Sequence, residues 1–383
     1  MISGFVDPDF GAVTEALRKI VVHKRGGGAA VAVYHRGRLV VDAWTGTRDA
    51  SGTPWDRDTV AMSFSTTKGV VATALHRLVD RGLVDYDEPV ATYWPEFAVN
   101  GKERITVRHL LSHSAGLHRL RGVVDDAHLM LDWKHITSAL AAEAPRWEPG
   151  TRFGYHGITY GFLVGEVIRR VTGKTVHDVV QDEIVEPLGL DGMFIAAPPD
   201  ARHRLATLIM SFGDARHTER VARRLERFAA LRPAIETFMV LDFDRLLLGD
   251  RVHESELPAL NGCFTARSLA RMYAALAGGG ELEGRRFLSV DTLRRATEVQ
   301  STTRDVVVGF PMRWRLGYHV AATTRGVLPN GFGHFGFGGS GAWADPDRDL
   351  AVAMVCNRVA GTPFADTRLL RVGAAAVRGA DSR

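Results

Sequence analysis

A serine and a lysine three residues apart, Ser65 and Lys68, form the spacing in this chain that is best suited to chemistry. Apolar residues recur at helical intervals over residues 70–79, which predicts a helix that begins at the serine. Residues three apart share one helix face, so the Lys68 amine can reach the Ser65 hydroxyl. A nucleophile, a proton acceptor and the unpaired N–H groups of a helix N-terminus are what acyl transfer requires. The alternative is an N-cap serine beside a solvated lysine, because a chain of this length contains about one such spacing by chance.

The bulk composition is that of an ordinary globular protein. The chain has 383 residues, of which 45% are hydrophobic and 24% charged, enough for one large domain or two of ordinary size. Its formal net charge of +4 comes mostly from scattered arginines, without a basic run that would favour nucleic acid. Residues 1–8 lack the features of a signal peptide, and no apolar run is long enough to span a membrane. We therefore expect a cytoplasmic protein with no transmembrane segment and no nucleic-acid partner.

The cysteines and histidines give no sign of a metal centre. The two cysteines, Cys263 and Cys356, stand far apart in apolar surroundings, and we expect buried free thiols, which fits a reducing compartment. The fifteen histidines contain no H-E-x-x-H pattern. We therefore expect neither a metal site nor a cofactor.

Strand patterns lie at both ends of the chain and helix patterns in the middle. We predict strands over residues 29–35, 38–44, 313–320, 333–344 and 350–356, the first two joined as a hairpin at 36–37. We predict helices over residues 10–23, 107–112, 136–144, 158–171, 176–188, 269–276 and 363–378. This order predicts the α/β class, with a discontinuous α/β domain from residues 1–95 and 255–383 and an inserted, mainly α-helical domain from residues 96–254.

Residues 200–250 differ from the rest of the helical region in their arginine content. Arg220, Arg223, Arg224 and Arg227 alternate with apolar residues at helical spacing. We interpret this pattern as an amphipathic surface helix with a solvated basic face. The alternative is a lid over the active site, or a patch that contacts lipid or an acidic partner.

Several further segments resemble one enzyme superfamily in their order and spacing. They are residues 64–69 (FSTTKG), 83–90 (LVDYDEPV), 105–117 (ITVRHLLSHSAGL), 153–155 (FGY), 173–174 (GK), 187–190 (PLGL), 333–337 (GHFGF) and 343–346 (WADP). The chain resembles the serine β-lactamase and penicillin-binding-protein superfamily, and within it the class C β-lactamases and the family VIII carboxylesterases. The resemblance implies a β-lactamase-like fold, in which helices flank an antiparallel sheet and the active site lies between the sheet domain and the helical domain.

The resemblance implies that Ser65 is acylated and that Lys68 assists removal of its proton. That role needs a lysine whose pKa is lowered by burial or by nearby positive charge. Tyr155 matches the tyrosine of a Y-x-N or Y-x-S pattern, which implies that it relays the Ser65 proton to the leaving alcohol. We expect the Lys68 and Tyr155 charges to influence each other, so that the phenol holds its proton loosely. The alternative is that Tyr155 is a half-buried core aromatic.

Two positions depart from the β-lactamase pattern. The third residue of the tyrosine motif is Gly157. At this position the β-lactamases carry an amide that contacts the substrate and the lysine. His334-Phe335-Gly336 stands in the place of K-T-G, so the groups that usually clamp a β-lactam carboxylate are missing. Both departures disfavour β-lactam recognition and favour neutral esters.

The segment around His334 should be an edge strand that lines the pocket. The resemblance implies that the backbone N–H groups of Ser65 and Phe337 form the oxyanion hole, each contributing about 3 kcal/mol in the transition state. Gly336 would let the substrate approach the strand closely. We assign His334 to substrate binding, through a hydrogen bond to Tyr155 or through positive charge; the alternative is a structural histidine.

One other serine, Ser340, stands in a G-G-S-G-A segment that resembles the nucleophile elbow G-x-S-x-G. Its fifth residue is alanine and no amphipathic helix follows, as such an elbow requires. We therefore do not expect Ser340 to be the nucleophile.

We predict a serine hydrolase that cleaves carboxylesters with short to medium acyl chains through an acyl-enzyme on Ser65. The alternatives within the superfamily are a β-lactamase, a D-amino peptidase, or a transesterase that passes the acyl group to an alcohol or amine. A non-enzymatic alternative is an acyl or peptidoglycan-fragment binding protein on the same fold. The expected partner is a small-molecule ester, and the sequence leaves the oligomeric state open.

Overall fold

The two ends of the chain meet in one antiparallel sheet. A computed structural model of the protein describes residues 1–22, 27–210, 225, 227–253, 255–359 and 366–382. In chain order, the strands in this part are β1 (Ser3–Val6), β2 (Gly28–His35), β3 (Arg38–Gly46), β4 (Ala61–Met62), β5 (Met193–Ile195), β6 (Gly262–Phe264), β7 (Glu281–Leu282), β8 (Arg285–Arg286), β9 (His319–Thr323), β10 (Gly326–Phe335), β11 (Gly341–Asp345) and β12 (Leu350–Cys356). The main sheet runs β1-β3-β2-β12-β11-β10-β9, with antiparallel pairing throughout.

Most of the helices lie between the N-terminal and the C-terminal strands in chain order. In chain order, the α-helices are α1 (Gly11–Val22), α2 (Thr66–Asp80), α3 (Val90–Tyr93), α4 (Val107–Leu111), α5 (Trp133–Ala142), α6 (Thr159–Thr172), α7 (Val176–Val180), α8 (Glu186–Leu188), α9 (Arg232–Phe238), α10 (Phe243–Leu248), α11 (Ala266–Ala277), α12 (Val290–Thr297) and α13 (Arg368–Asp381). A π-helical turn, Gln181–Val185, joins α7 to α8. None of the helices in the described ranges is long and apolar enough to cross a bilayer.

Both faces of the sheet are covered, which explains the apolar run of β12. Its side chains alternate between two cores, with Leu350, Val352 and Met354 on one face and Ala351 and Ala353 on the other. Helices α1 and α13 pack against each other on the first face, and α11 packs on the second against β2, β11 and β12. The predicted strand 350–356 is therefore confirmed, and its lack of alternation follows from burial on both sides.

Helix α2 lies at the centre of the molecule. It packs against α6, α7 and β10, and almost all of its residues are buried. Its N-terminal turn is thus held between the helical part of the chain and the sheet. The start of α2 therefore lies at the boundary between the two, which is where the sequence predicts the active site.

Two predicted strands differ from the observed ones. The segment predicted as one strand over residues 333–344 is a hairpin of β10 and β11, because Gly338 and Gly339 have φ angles of +82° and +98° and reverse the chain. Of the residues predicted as a strand over 313–320, only 319 and 320 lie in a strand, β9. Positive φ angles at Arg313 and Gly317 break the extended path before it.

The prediction of an edge strand at His334 is wrong. Strand β10 is second from the edge, because residues of β9 pair with it as far as His319 opposite Gly333. His334 and Phe335 extend past this last pair and remain paired only with β11. The Phe335 N–H is instead bound by the His319 Nε2 atom at 3.0 Å, so a side chain takes the place of the missing strand.

The remaining predictions concern a hairpin, the two cysteines, two helix segments and the domain boundaries. The hairpin at Arg36-Gly37 is confirmed, and the cysteines Cys263 and Cys356 are buried and free. The predicted amphipathic helix over Arg220, Arg223 and Arg224 lies outside the described residues, as does the predicted start of the last helix at 363. The domain boundaries at 95/96 and 254/255 stay a prediction.

Candidate active site

The turn before helix α2 holds Ser65 in a constrained backbone. Phe64 has a φ of +48°, a left-handed conformation that a bulky residue seldom adopts. The Thr67 hydroxyl donates to the Phe64 carbonyl at 2.5 Å and accepts from the Gly262 N–H at 2.9 Å. These bonds fix the turn from both sides, so the strain is compensated by its surroundings. Ser65 consequently stands at the helix N-cap, although its hydroxyl makes no capping bond and is free for other contacts.

Three predicted catalytic residues meet at the Ser65 hydroxyl. Its Oγ atom lies 2.9 Å from Lys68 Nζ and 2.7 Å from Tyr155 Oη. The Lys68 Nζ atom also lies 4.9 Å from the centre of the Tyr155 ring. A hydroxyl, an amine and a phenol are thus in mutual contact, although Tyr155 is ninety residues away in the sequence.

The electrostatic environment of Lys68 favours its neutral form. The side chain is completely buried, and burial holds the pKa of Lys68 well below its usual range. Besides Ser65, its Nζ atom has one further hydrogen-bond partner in the described part of the chain, the Ala259 carbonyl at 3.1 Å. No carboxylate in that part forms an ion pair with it, so no counter-charge opposes the effect of burial. A neutral amine beside a serine hydroxyl can accept its proton.

The contact between Lys68 and Ala259 depends on a buried loop. The Asn261 side chain accepts from the Leu257 N–H at 3.0 Å and donates to the Val252 carbonyl at 2.7 Å, which closes the loop. Gly161 of helix α6 lets the loop approach, because a Cβ atom there would lie 2.5 Å from the Ala259 nitrogen. The Lys68 amine is therefore positioned by two segments that the sequence analysis had not connected with the site.

Tyr155 is buried in an aromatic setting. Its ring stacks on Trp314 with centroids 5.4 Å apart and an interplanar angle of 16°, and the His113 ring lies edge-on at 5.1 Å. Burial raises the pKa of Tyr155, although the hydrogen bond to Ser65 opposes the shift. The expectation that the phenol holds its proton loosely is therefore wrong, because the low-dielectric surroundings disfavour a phenolate. Tyr155 is placed to donate a proton.

Trp314 and the buried Asp305 were missed by the sequence analysis. Asp305 accepts from the Val307 and Val308 N–H groups at 2.8 and 2.9 Å and from the Trp314 indole at 2.8 Å. This carboxylate therefore folds a loop and orients the ring on which Tyr155 stacks. The available signal was an aspartate nine residues before a tryptophan, which is too common to interpret without the fold.

The end of β10 lies against the nucleophile turn. A Cβ atom at Gly336 would lie 2.2 Å from the Ser63 carbonyl, so only glycine fits this approach. The Phe337 ring packs edge-on against Phe64 with centroids 5.4 Å apart. These contacts place the Phe337 backbone beside the turn that carries Ser65. The oxyanion hole formed by the N–H groups of Ser65 and Phe337 stays a prediction.

His334 lies in the site but differs from its expected roles. Its ring is roughly parallel to Tyr155 at a centroid distance of 6.1 Å, and its Nδ1 atom lies 3.1 Å from the Phe335 carbonyl. Burial, with nearby His319 and Lys68 adding to it, holds the pKa of His334 well below its usual range. A positively charged His334 is therefore not supported, and no hydrogen bond joins it to Tyr155. With the proton on Nδ1, the Nε2 atom is a buried acceptor that lacks a partner among the described residues.

Gly157 faces an aromatic side chain from a distant segment. A Cβ atom there would lie 2.3 Å from Phe238 Cε1 and 2.8 Å from Thr237 Cγ2. Phe238 in turn packs near the Tyr155 ring, with centroids 6.0 Å apart. Residues of helix α9 thus fill the space next to Gly157.

The other serine of interest is structural. Ser340 is buried, and its Oγ atom accepts from the Cys356 N–H at 3.1 Å. Its carbonyl accepts from the Gly336 N–H at 2.8 Å, which shapes the turn between β10 and β11. Within the described ranges, no three His, Cys, Asp or Glu side chains are grouped as a metal site requires.

The chain belongs to the β-lactamase family, whose sequence model matches residues 13–376. The predicted superfamily and the predicted β-lactamase-like fold are thereby confirmed. The chain is 40% identical over 370 residues to the esterase/β-lactamase LipL of Mycobacterium tuberculosis, which covers 94% of this chain and 83% of LipL.

Two solved structures resemble the whole molecule. The structure of a family VIII carboxylesterase matches with a TM-score of 0.86 and 33% identity, over 99% of this chain and 100% of that chain. A penicillin-binding-protein homologue from Caulobacter crescentus matches with a TM-score of 0.85 and 34% identity, over 99% of this chain and 100% of that chain. The predicted class, a β-lactamase-related enzyme, is confirmed by these relatives.

Proposed function

We propose that the protein hydrolyses carboxylesters with short to medium acyl chains through an acyl-enzyme on Ser65. The observation that carries the proposal is the double contact of the Ser65 Oγ atom, with Lys68 Nζ at 2.9 Å and Tyr155 Oη at 2.7 Å. The esterases among the similar proteins support the same substrate class.

The proposed reaction begins with neutral Lys68. Its amine accepts the Ser65 proton while Oγ forms a bond to the ester carbonyl carbon, and the N–H groups of Ser65 and Phe337 bind the resulting oxyanion. As the carbon–oxygen bond to the alcohol breaks, Tyr155 gives its phenolic proton to the departing oxygen and regains one from the Lys68 ammonium. Water then attacks the acyl-enzyme by the reverse proton path, which releases the acid and restores Ser65.

The two opposite pKa shifts support this division of roles. Burial lowers the pKa of Lys68 and raises the pKa of Tyr155, so the amine is the resident base and the phenol is the resident acid. Activity should fall as the pH drops through the lowered pKa of Lys68, because the amine then takes up a proton before substrate binds. Tyr155 should remain a phenol throughout the neutral and mildly alkaline range.

Two features of the pocket favour neutral esters over β-lactams. Gly157 offers no amide, and the space beside it holds Phe238. Burial holds the pKa of His334 well below its usual range, which disfavours a positive charge that would replace the lysine that usually binds a β-lactam carboxylate. We assign His334, Gly336 and Gly157 to the substrate pocket, with His334 Nε2 available to accept a hydrogen bond.

The test is hydrolysis of p-nitrophenyl acetate, butyrate and octanoate by the wild type and by Ser65→Ala, with nitrocefin as the competing substrate. We expect kcat/KM for the esters to fall at least about 10³-fold in the variant. Ser340→Ala is the matched control and should keep the wild-type rate. Equal ester rates in wild type and Ser65→Ala refute the proposal, and faster turnover of nitrocefin than of butyrate replaces it with the β-lactamase alternative.

A further inference from the structure

We propose that Phe238 determines substrate specificity, by forming one wall of a pocket for an apolar group of the ester. This inference rests on the proposed function and concerns the same site. It goes beyond the loss of an amide at Gly157, because it assigns the vacated space to a residue from a distant helix.

Phe238 and a side chain at position 157 exclude each other. A Cβ atom at Gly157 would lie 2.3 Å from Phe238 Cε1 and 2.7 Å from Phe238 Cζ, well inside van der Waals contact. An amide at this position would therefore displace the ring. An aromatic ring therefore occupies the point, two residues after Tyr155, at which the β-lactamase pattern places an amide side chain.

The wall is fixed by the backbone of helix α9. The Glu236 carbonyl accepts from both the Leu120 and the Arg121 N–H groups at 3.0 Å. The Glu236 carboxylate pairs with Arg232 at 3.1 Å, and Thr237 is completely buried. The end of α9 is thus tied to the helical part of the chain, so Phe238 keeps its position relative to Tyr155.

The surroundings of Phe238 are apolar on several sides of Tyr155. Five other partly buried side chains share this environment and pack against the cluster that contains Tyr155 and Trp314: Phe153, Ala234, Val306, Val308 and Met312. The Val306 N–H donates to the Phe153 carbonyl at 2.9 Å, which joins the two segments. A charged or amide-bearing group would lose water against these side chains without gaining a hydrogen bond from them, whereas an alkyl or aryl group would bury apolar surface.

This arrangement predicts which substrates the site accepts. Burial of a hydrocarbon arm of limited length against the apolar wall lowers the free energy of binding, and the ring blocks longer arms. Removing the ring enlarges the pocket and shifts the preference towards longer chains. Phe238 supplies no reacting group to the proposed chemistry at Ser65, and its ring packs near the Tyr155 ring with centroids 6.0 Å apart.

The experiment measures kcat/KM for two ester series in the wild type, Phe238→Ala and Phe238→Leu. One series varies the acyl chain from acetate to octanoate on p-nitrophenol, and the other varies the alcohol from methyl to octyl on butyrate. Phe228→Ala is the matched control, because Phe228 is an exposed phenylalanine in the same region of the chain. Thermal unfolding of each variant separates a change in pocket shape from a loss of folding.

We expect the long-to-short ratio of kcat/KM to rise about tenfold in Phe238→Ala in at least one series, less in Phe238→Leu, and not at all in the control. The series that changes identifies which arm of the ester lies against the wall. A ratio that falls or stays within about twofold of the wild type in both series overturns the inference. The proposed function still stands in that case if Ser65→Ala is inactive.

Two further measurements keep the inference testable. Gly157→Asn should lower ester hydrolysis, and adding Phe238→Ala should restore it, because the two side chains compete for one space. Additive losses in the double variant contradict that competition. If the wild type cleaves no ester at all, the rates at which ethyl and octyl p-nitrophenyl phosphonates label Ser65 provide the same comparison: the phosphorus–oxygen bond to serine forms as p-nitrophenolate leaves. An unchanged octyl-to-ethyl labelling ratio in Phe238→Ala then overturns the inference.

Discussion

The two sides of the candidate active site are built in different ways. The reacting groups of the Ser65 side come from one continuous segment, since Phe64, Ser65 and Lys68 lie in a single turn and the first turn of helix α2. The Tyr155 side gathers rings from distant segments, with Trp314 stacked at 5.4 Å and Phe238 at 6.0 Å. The Ser65 side is held by hydrogen bonds of fixed direction, and the Tyr155 side by apolar packing, which tolerates changes of shape.

This difference separates the proposed chemistry from the proposed selectivity. A substitution on the Ser65 side removes a reacting group, so we expect large losses of rate. A substitution among the rings alters the fit of the substrate, so we expect smaller changes that depend on the ester. The following variants test this separation, beginning with the largest expected effect.

Lys68→Met, on the Ser65 side, should cause the largest loss of activity among these variants. We expect kcat/KM for p-nitrophenyl butyrate to fall about 10³-fold, because the variant lacks the base that accepts the serine proton. Methionine fills most of the same buried space, so the fold should be kept. A loss of less than about tenfold would mean that another group takes the proton.

The same variant gives a stability test with a defined sign. The folded pKa of Lys68 lies below its unfolded value of 10.5, so between these two values the unfolded chain binds one more proton and a fall in pH favours unfolding. Below the folded pKa the penalty is constant. The unfolding free energy of Lys68→Met relative to the wild type should therefore increase from pH 10 to pH 7, as measured by urea unfolding. A difference that does not change with pH contradicts a buried amine.

Tyr155→Phe sharpens the comparison, because it removes one hydroxyl and leaves the ring packing in place. We expect kcat/KM to fall about 10²-fold for esters of alkyl alcohols, which need a proton on leaving, and less for p-nitrophenyl esters, whose leaving group does not. Tyr160→Phe is the matched control, since the Tyr160 hydroxyl is buried near the site without a hydrogen-bond partner among the described residues. Equal losses for both classes of ester would exclude Tyr155 as the acid.

Asp305→Asn tests whether the position of Tyr155 depends on the buried Asp305 carboxylate, which orients Trp314. The amide cannot accept all three N–H groups that the carboxylate binds, so we expect the unfolding free energy to fall by about 1–3 kcal/mol. Loosening Trp314 should lower kcat/KM by about tenfold through misplacement of Tyr155. Asp291→Asn, at an exposed ion pair with Arg294, is the control. Wild-type activity in Asp305→Asn would show that the stacking does not position Tyr155.

Ser340→Ala should have the smallest effect on rate. It removes the acceptor of the Cys356 N–H, which costs about 1 kcal/mol of stability, and leaves ester hydrolysis unchanged. A large loss of activity with a normal melting temperature would assign this serine to the reaction.

The contrast between the two sides also explains what could be predicted from the sequence. Ser65 and Lys68 are three residues apart on one helix, so local geometry alone brings them together. The meeting of both chain ends in one antiparallel sheet could be predicted from strand patterns at both ends, together with the family resemblance, whereas the place of β10 inside the sheet could not. Tyr155 required that resemblance, because nothing local relates it to a serine ninety residues earlier.

Other parts of the site depend on long-range packing that no pattern reveals. The position of Phe238 against Gly157 follows from how helix α9 is tied to residues 120–121. The support of Trp314 by Asp305 involves a loop with positive φ angles at Gly309 and Arg313, and the strand prediction over 313–320 had treated Arg313 as extended. The burial that holds the pKa of His334 well below its usual range is also a property of the fold, which a one-dimensional pattern cannot show.

The most direct test is mass spectrometry of the protein after acid quench of a brief reaction with p-nitrophenyl acetate or butyrate. We predict one acyl adduct on the wild type, placed on Ser65 by peptide mapping, and none on Ser65→Ala. Hydrolysis with the adduct on a different residue, or an unmodified Ser65 during sustained turnover, would contradict the assignment of Ser65 as the nucleophile.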